Sequence, residues 1–425
     1  MTLSTRFNIP VTLLVLFSAT LALSKSAANV LLTLIYLVIV VQVIRDRDFR
    51  RVLRERALQP MVLPLLVYAA VAVIGLAYTE RFSDGIGIVN KIAGLFLVYW
   101  MTSALLDSAG EVSSKDRLAV DLLLLFLVGL LLLDVIGLLT YLGVIGQRKF
   151  VLPVYPLHVH HIWFANLNSL GLYAALSLLL FRSGLGASVR RTLLFAFLPL
   201  ASFSILFSTS RTAWLGMIVT GVIVAYLYSP RKRLFYAALG ITAACCVLAY
   251  LFIPLVHDRI DVGFADISQY AAGDRETSMG WRFLMWKAAL TMFLSNPIFG
   301  VGTGDYVITM ERFIGSGSYP VSLLQFNQPH NMYLFAMATN GILGLGALLF
   351  LFYRTFALTL PYRDAHTDRQ WQVFLAVSVA VHFLVAGLTD SLFNIFILRF
   401  SFAFIMGICI RTESVHAAGS RYHLV

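Results

Sequence analysis

Apolar runs of membrane length recur along almost the whole 425-residue chain, and one long polar stretch, Val256 to Asn331, interrupts them. A helix of about 20 apolar residues crosses the hydrocarbon core, where every backbone polar group must be bonded within the segment. With 59% hydrophobic and 12% charged residues, the chain has too little polar surface to cover a water-soluble globule. It reads as an all-α polytopic membrane protein. Twelve transmembrane helices are expected, near 9–24, 27–44, 59–78, 86–106, 117–142, 163–181, 192–208, 212–228, 234–254, 331–352, 371–389 and 392–411. Residues 1–425 form a single integral membrane domain, with 256–330 inserted as one large loop between the ninth and tenth helices. The first run has the flanks of a signal peptide, but a second apolar run comes at once, so it reads as a span.

Loop charge sets the orientation, because short cytoplasmic loops are enriched in Lys and Arg. One set of alternate loops is basic: Arg45 to Arg56, Lys115 and Arg117, Arg182 with Arg190 and Arg191, Arg231 to Arg233, and Arg354, Arg363 and Arg369. These are read as cytoplasmic, which puts both termini on that side and the long insertion on the other. The net charge of +11 is then mostly topological, and no nucleic-acid partner is expected. Cys245, Cys246 and Cys409 all fall within spans, so no disulfide framework or Cys-type metal site is expected.

Within the insertion, 256–276 is polar, carrying Arg259, Asp261 and Asp266 among others. Met279 to Leu294 is apolar apart from Arg282 and Lys287 and stops at Asn296-Pro297, which predicts an interfacial helix with Trp281 and Trp286 at headgroup level. Gly300-Val301-Gly302-Thr303-Gly304 has neither the context of a dinucleotide fingerprint nor the Lys-Ser/Thr of a Walker loop, and reads as a flexible turn. His158, His160 and His161 lack the spacing of a zinc site. Neither symmetric halves nor a broken helix of the transporter kind is evident.

Four blocks carry a family resemblance. They are Ser208-Thr209-Ser210-Arg211-Thr212-Ala213-Trp214-Leu215-Gly216; Trp281-Arg282-Phe283-Leu284-Met285-Trp286; Asn296-Pro297-Ile298-Phe299-Gly300-Val301-Gly302-Thr303-Gly304; and Pro329-His330-Asn331-Met332-Tyr333-Leu334 with Asn340-Gly341-Ile342-Leu343-Gly344 after it. In this order and spacing they resemble the O-antigen ligase and polymerase superfamily, and with one dominant outer loop the chain looks most like its ligase branch. The resemblance implies a lipid-linked, GT-C-like glycosyltransferase architecture. It also implies an enzyme at the periplasmic face of a Gram-negative inner membrane, which moves O-antigen from undecaprenyl diphosphate to a sugar hydroxyl of lipid A-core without cofactor or metal. The same resemblance assigns function to Arg211, Arg282 and His330.

Read from the residues alone, displacing a diphosphate from an anomeric carbon needs a base for the incoming hydroxyl and positive charge for the leaving group. His330 suits the first role; Arg211 and Arg282, with planar forks matched to oxyanions, suit the second. The N-terminus of the helix after Asn331 offers amides to the same anion. Lys91 adds charge to the diphosphate site or meets a lipid headgroup. Arg275 and Arg312 are candidates for acceptor phosphates. Asp390 either orients His330 or pairs with Arg399. Asp134 and His382 read as packing contacts. Rival readings are an O-antigen polymerase or protein O-oligosaccharyltransferase of the same superfamily, and a lipid-linked sugar transporter using Lys91, Asp134, Asp390 and Arg399.

Overall fold

The structure is a computed structural model that describes residues 8–108, 112–145, 160–182, 184–229, 231–363 and 369–412. It is an all-α membrane protein. In chain order the helices are α1 Asn8–Thr20, α2 Lys25–Arg45, α3 Arg47–Glu55, α4 Val62–Leu76, α5 Phe82–Ser108, α6 Val112–Tyr141, α7 His161–Phe181 and α8 Ala187–Phe207. Next come α9 Arg211–Tyr228, α10 Lys232–Phe252, α11 Pro254–Ala271, α12 Ser278–Ser295, α13 Tyr306–Gly315, α14 Met332–Thr359, α15 Gln370–Ala386 and α16 Phe396–Cys409. Twelve of them coincide with the twelve expected spans. Eight are long and apolar enough to cross a membrane, and α1, α4, α15 and α16 are shorter apolar helices. Two of these stop short for a local reason: the chain between α15 and α16 leaves the helical path at Gly387 and re-enters it at Phe396, and that interval carries Asp390. Irregular backbone in such a protein is tolerated where protein or a cavity surrounds it.

The bundle core is built by α5, α7, α15 and α16, whose facing side chains include Tyr99, Phe164, Phe383, Phe402 and Phe404. By contrast, α10 buries no residue and presents apolar side chains all round, the surface expected of a lipid-facing helix.

The insertion is more structured than its polarity suggests. Its first part, expected to be merely polar, is the helix α11, started by Pro254 at its first turn, where a missing N–H costs nothing. A helix is present where the interfacial one was expected, as α12, and it packs on α14. Leu284, Met285, Ala288, Ala289 and Met292 form a second small core with Tyr306, Met310, Leu323 and Ala338. Its two tryptophans make protein contacts: Trp286 Nε1 donates to Pro329 O at 3.0 Å, and the Trp281 ring packs 5.6 Å from that of Phe326.

Two expectations are corrected here. The helix α14 is broken at Gly341, which adopts φ 61°, ψ −153°, and the glycine-rich segment is stitched into the break instead of turning freely. Val301 N and Gly302 N donate to Ala338 O and Thr339 O at 2.8 and 3.0 Å, while Ile342 N donates to Pro297 O at 2.8 Å. Asn340 Nδ2 donates to Thr303 Oγ1 at 2.7 Å, and Thr303 Oγ1 donates to Ala72 O of α4 at 2.8 Å. The groups freed by the break are therefore bonded inside the protein, as a nonpolar environment demands. The sequence hides the break because a glycine inside an apolar run reads as an ordinary helical residue. Asp305 extends the stitch by accepting from Thr79 Oγ1, Glu80 N and Arg81 N at 2.7 to 2.9 Å, which fixes the α4–α5 turn.

A Cβ on Gly341 would lie 2.3 Å from the backbone of Ile298, whereas one on Gly346, in the same helix, would meet open space. Gly341→Ala is expected to cost at least about 1–3 kcal/mol for its backbone conformation alone, and Gly346→Ala to be neutral or slightly stabilising. Thermal unfolding of the detergent-solubilised variants checks this; equal midpoints would contradict the stitched break.

Candidate active site

The turns at one end of the bundle, Leu23–Ser26, the start of α7, Thr209–Ser210 and the α15–α16 interval, meet the insertion around two cavities. The first, of about 340 Å³, is walled by Leu215, Ile260, Phe264, Ile267 and Met279 and holds three arginines, Arg211, Arg259 and Arg282. The second, of about 790 Å³, holds His330, Asp390, Lys91, Lys25 and Arg399. Ile162 lines both.

Arg211 is delivered by the sharp turn before α9. Ser210 caps that helix by accepting from Ala213 N at 3.3 Å, so Arg211 is not needed as a cap. Gly263 lets it pass, since a Cβ there would sit 2.6 Å from Arg211 Nη1. The nearest anion is Asp266 of α11, at 3.8 Å from Nη2, a loose pairing that leaves the fork open. Arg259 Nε donates to Thr209 O at 3.2 Å. Arg282 Nη1 donates to Ser278 Oγ at 3.2 Å, and its Nε lacks a partner among the described residues. Burial first, and the Arg211 charge next, push both the Arg259 and Arg282 guanidinium pKa values down; as arginines they remain cations. Three cations facing one small cavity with one loosely held carboxylate make a site for an anion of more than one charge.

His330 is placed by the cap of the helix it precedes. Asn331 caps α14 by accepting from Tyr333 N and Leu334 N at 3.0 Å, and its own Nδ2 donates to Leu388 O at 2.9 Å. Met332 N donates to Gly387 O at 2.8 Å. These bonds clasp the start of α14 to the α15–α16 interval and bring His330 Nδ1 to 3.1 Å from Asp390 Oδ1. They also occupy the amides at the start of α14, so that helix end, expected to offer N–H groups to an anion, has none to spare. Gln328 Nε2 lies at the same 3.1 Å from Nδ1, but an ionised carboxylate only accepts, so in the bond to Asp390 Nδ1 carries the proton, and in the neutral ring Nε2 is then the acceptor nitrogen. Burial alone would raise the Asp390 carboxyl; the hydrogen bond and charge of His330, with Ser391 N–H and Gln328, outweigh it and hold the pKa below the usual carboxylate value. Of the two pairings open to Asp390, the one with His330 is made. Arg399 instead donates to Phe393 O at 2.8 Å and lies 5.4 Å from the Phe400 ring centre.

Backbone strain marks the same place. Among the described residues, His330 at φ 49° and Thr209 at φ 57° are the non-glycine residues with positive φ, and each lines one of the two cavities. Such conformations cost about 1–3 kcal/mol and persist where the surroundings hold them, commonly at functional sites.

The remaining candidates separate. Lys91 Nζ is 3.4 Å from Asn394 Oδ1 on the His330 side, not among the arginines. Arg312 forms a two-pronged ion pair with Glu80, Nη1 lying 2.8 Å from Oε1, and lines neither cavity; nor does Arg275, which is exposed in the turn before α12. His382 is buried and bonded to Tyr173 OH at 3.1 Å and Asn166 Oδ1 at 3.0 Å. Asp134 is buried in α6. His161 Nδ1 lies 2.8 Å from Ser208 O and lines the first cavity, His160 lines the second, and His158 lies outside the described residues. Among the described residues, no group of three His, Cys, Asp or Glu side chains is placed to hold a metal ion.

Residues 195–350 match a family model, Wzy_C, described as O-antigen ligase. An O-antigen ligase of Escherichia coli strain K12 is 21% identical over 149 residues, 35% of this chain and 36% of that protein. Over this segment the chain is similar to the O-antigen ligase family. An uncharacterized protein of Haemophilus influenzae is 29% identical over 168 residues, 38% of this chain and 42% of the relative. The chain therefore spans well under half the length of these curated relatives. The ligase-family segment contains Arg211, Arg259, Arg282 and His330, whereas Lys91 and Asp390 lie outside it.

The sequence does not single out Arg259, which sits among other charges. Its signal is helical spacing: Arg259, Gly263 and Asp266 fall on one face once 254–271 is a helix. Asp390 yields a pH expectation. A carboxyl whose folded pKa is depressed contributes stability that is complete above its unfolded value of about 3.9 and is lost as pH falls through the folded value. The midpoint advantage of the wild type over Asp390→Asn should therefore be full at pH 6–7 and shrink only below about pH 4; a difference independent of pH would contradict a carboxylate stabilised by these hydrogen bonds.

Proposed function

We propose that this protein is an O-antigen ligase that transfers polysaccharide from undecaprenyl diphosphate to a sugar hydroxyl of lipid A-core. The observation that carries the reading is a largely apolar cavity holding three arginines, next to a cavity that holds a histidine whose ring is held by a carboxylate. The diphosphate lies between Arg211, Arg259 and Arg282, and the polyprenyl chain runs along Leu215, Ile260 and Phe264. From the second cavity the acceptor hydroxyl approaches the anomeric carbon. His330 Nε2 takes the hydroxyl proton as the new carbon–oxygen bond forms and the bond to the diphosphate breaks, inverting the anomeric centre. Asp390 holds the ring in the tautomer that leaves Nε2 free and stabilises the imidazolium that results. The arginines take up the charge growing on the leaving diphosphate, so the reaction proceeds without a metal or other cofactor.

In this reading residues 256–330 form a periplasmic loop, the site faces the periplasm of a Gram-negative inner membrane, both termini are cytoplasmic, and the immediate partners are the two glycolipids and surrounding membrane lipids.

Transfer is measured with purified protein, undecaprenyl-diphosphate-linked O-antigen and lipid A-core. His330→Ala should lose at least about 10²-fold in turnover, with donor accumulating in cells. Arg211→Lys and Arg282→Lys should each lose roughly 10²-fold, because a point charge does not replace a two-pronged contact. Ordinary turnover by folded His330→Ala, or by both lysine variants, would refute the assignment. Loss of activity on chelation, restored by added divalent ion, would refute the metal-free step.

A further inference from the structure

The second cavity holds three cations that the transfer step does not use. Lys25 opens α2, Lys91 lies in α5 and Arg399 in α16, so three separate helices bring positive charge to one space of about 790 Å³. Lys91 donates to the neutral Asn394, and Lys25 Nζ lies 5.6 Å from the centre of the Phe396 ring. Arg399 is 6% exposed, and its Nε has no partner among the described residues. None of the three forms an ion pair among those residues. The one carboxylate in the lining, Asp390, is committed to His330.

Cations gathered without a counter-charge repel one another, most strongly beside the buried Arg399, and favour an anion among them. The space is too large for an ion alone and has the size of a ligand pocket. Its wall also carries the amide side chains of Gln325 and Asn327 and the ring of Trp163, groups suited to sugar hydroxyls and sugar faces.

We propose that this cavity is a second anion site, separate from the arginine cavity, and that it binds a phosphate carried on the core sugars of the acceptor glycolipid. The proposal rests on the transfer reading, which puts the donor diphosphate among the arginines and brings the acceptor to His330 from the other side. The phosphate bridges Lys25, Lys91 and Arg399, and so fixes which sugar hydroxyl lies near Nε2. It reassigns Lys91 from the donor to the acceptor and moves acceptor-phosphate binding away from Arg275 and Arg312.

The test is equilibrium binding to full-length protein in nanodiscs of phosphatidylcholine. The probes are fluorescent lipid A-core with its core phosphates, the same glycolipid stripped of core phosphates, and phosphatidylglycerol as a competing headgroup. The phosphorylated acceptor should bind at least about tenfold more tightly than the stripped one. Lys25→Gln and Lys91→Gln should each erase most of that preference, and Lys25→Arg and Lys91→Arg should retain it. Equal affinity for the two acceptors, or a preference that survives both glutamine variants, overturns the proposal. Displacement by phosphatidylglycerol at matching concentration overturns it by assigning the site to bulk lipid. In steady-state ligation the glutamine variants should raise the acceptor KM about tenfold while the donor KM stays within about twofold. A rise in donor KM instead would return the lysines to the diphosphate and overturn the assignment. Selective acceptor binding by a wild-type protein that transfers nothing would uphold the site while defeating the transfer reading.

Discussion

The hydrogen bond between His330 Nδ1 and Asp390 Oδ1 joins two stretches of chain that leave helical geometry where they meet, and the site is organised on either side of it. Four nearby bonds hold it: the two of the Asn331 cap on α14, Asn331 Nδ2 to Leu388 O, and Met332 N to Gly387 O. They keep His330 in a backbone conformation that a free chain rarely adopts. Arginines line one cavity, while the clasp itself lines the neighbouring one together with Lys25, Lys91 and Arg399.

The same helix that starts at the clasp is broken further on, at Gly341. Because Gly341 leaves the helix and the 297–304 segment bonds the freed groups, the glycine-rich stretch that follows α12 is bonded to both α14 and α4. That fixes Arg282, carried by α12, relative to His330, carried at the start of α14. Rigid elements place charged groups more accurately than loops do, and binding a diphosphate through fixed forks needs such accuracy.

Much of this was legible in the sequence, for identifiable reasons. Membrane helices announce themselves by length and apolarity, so all twelve apolar helices fall where the runs fall. Ser210, Arg211 and His330 stand out because a polar residue beside a span is conspicuous, and Arg282 because it is a charge inside an apolar run. Three things were not legible. The helix 254–271 is amphipathic and short of strong apolar signal, so Arg259 was lost among its neighbours. The break at Gly341 depends on contacts with Ile298 and Pro297, more than forty residues away, which no local pattern encodes. The choice of Asp390 between His330 and Arg399 was a question of direction: both lie near in the chain's fold, and the clasp at Asn331 decides it.

The central claim is that donor and acceptor charges are held on opposite sides of His330. A structure of the protein with bound undecaprenyl diphosphate, determined in nanodiscs by electron cryomicroscopy, addresses it most directly. The diphosphate oxygens should lie about 3 Å from the guanidinium nitrogens of Arg211, Arg259 and Arg282, with the polyprenyl chain along the apolar wall of that cavity. A diphosphate resting instead among Lys25, Lys91 and Arg399 would contradict the account.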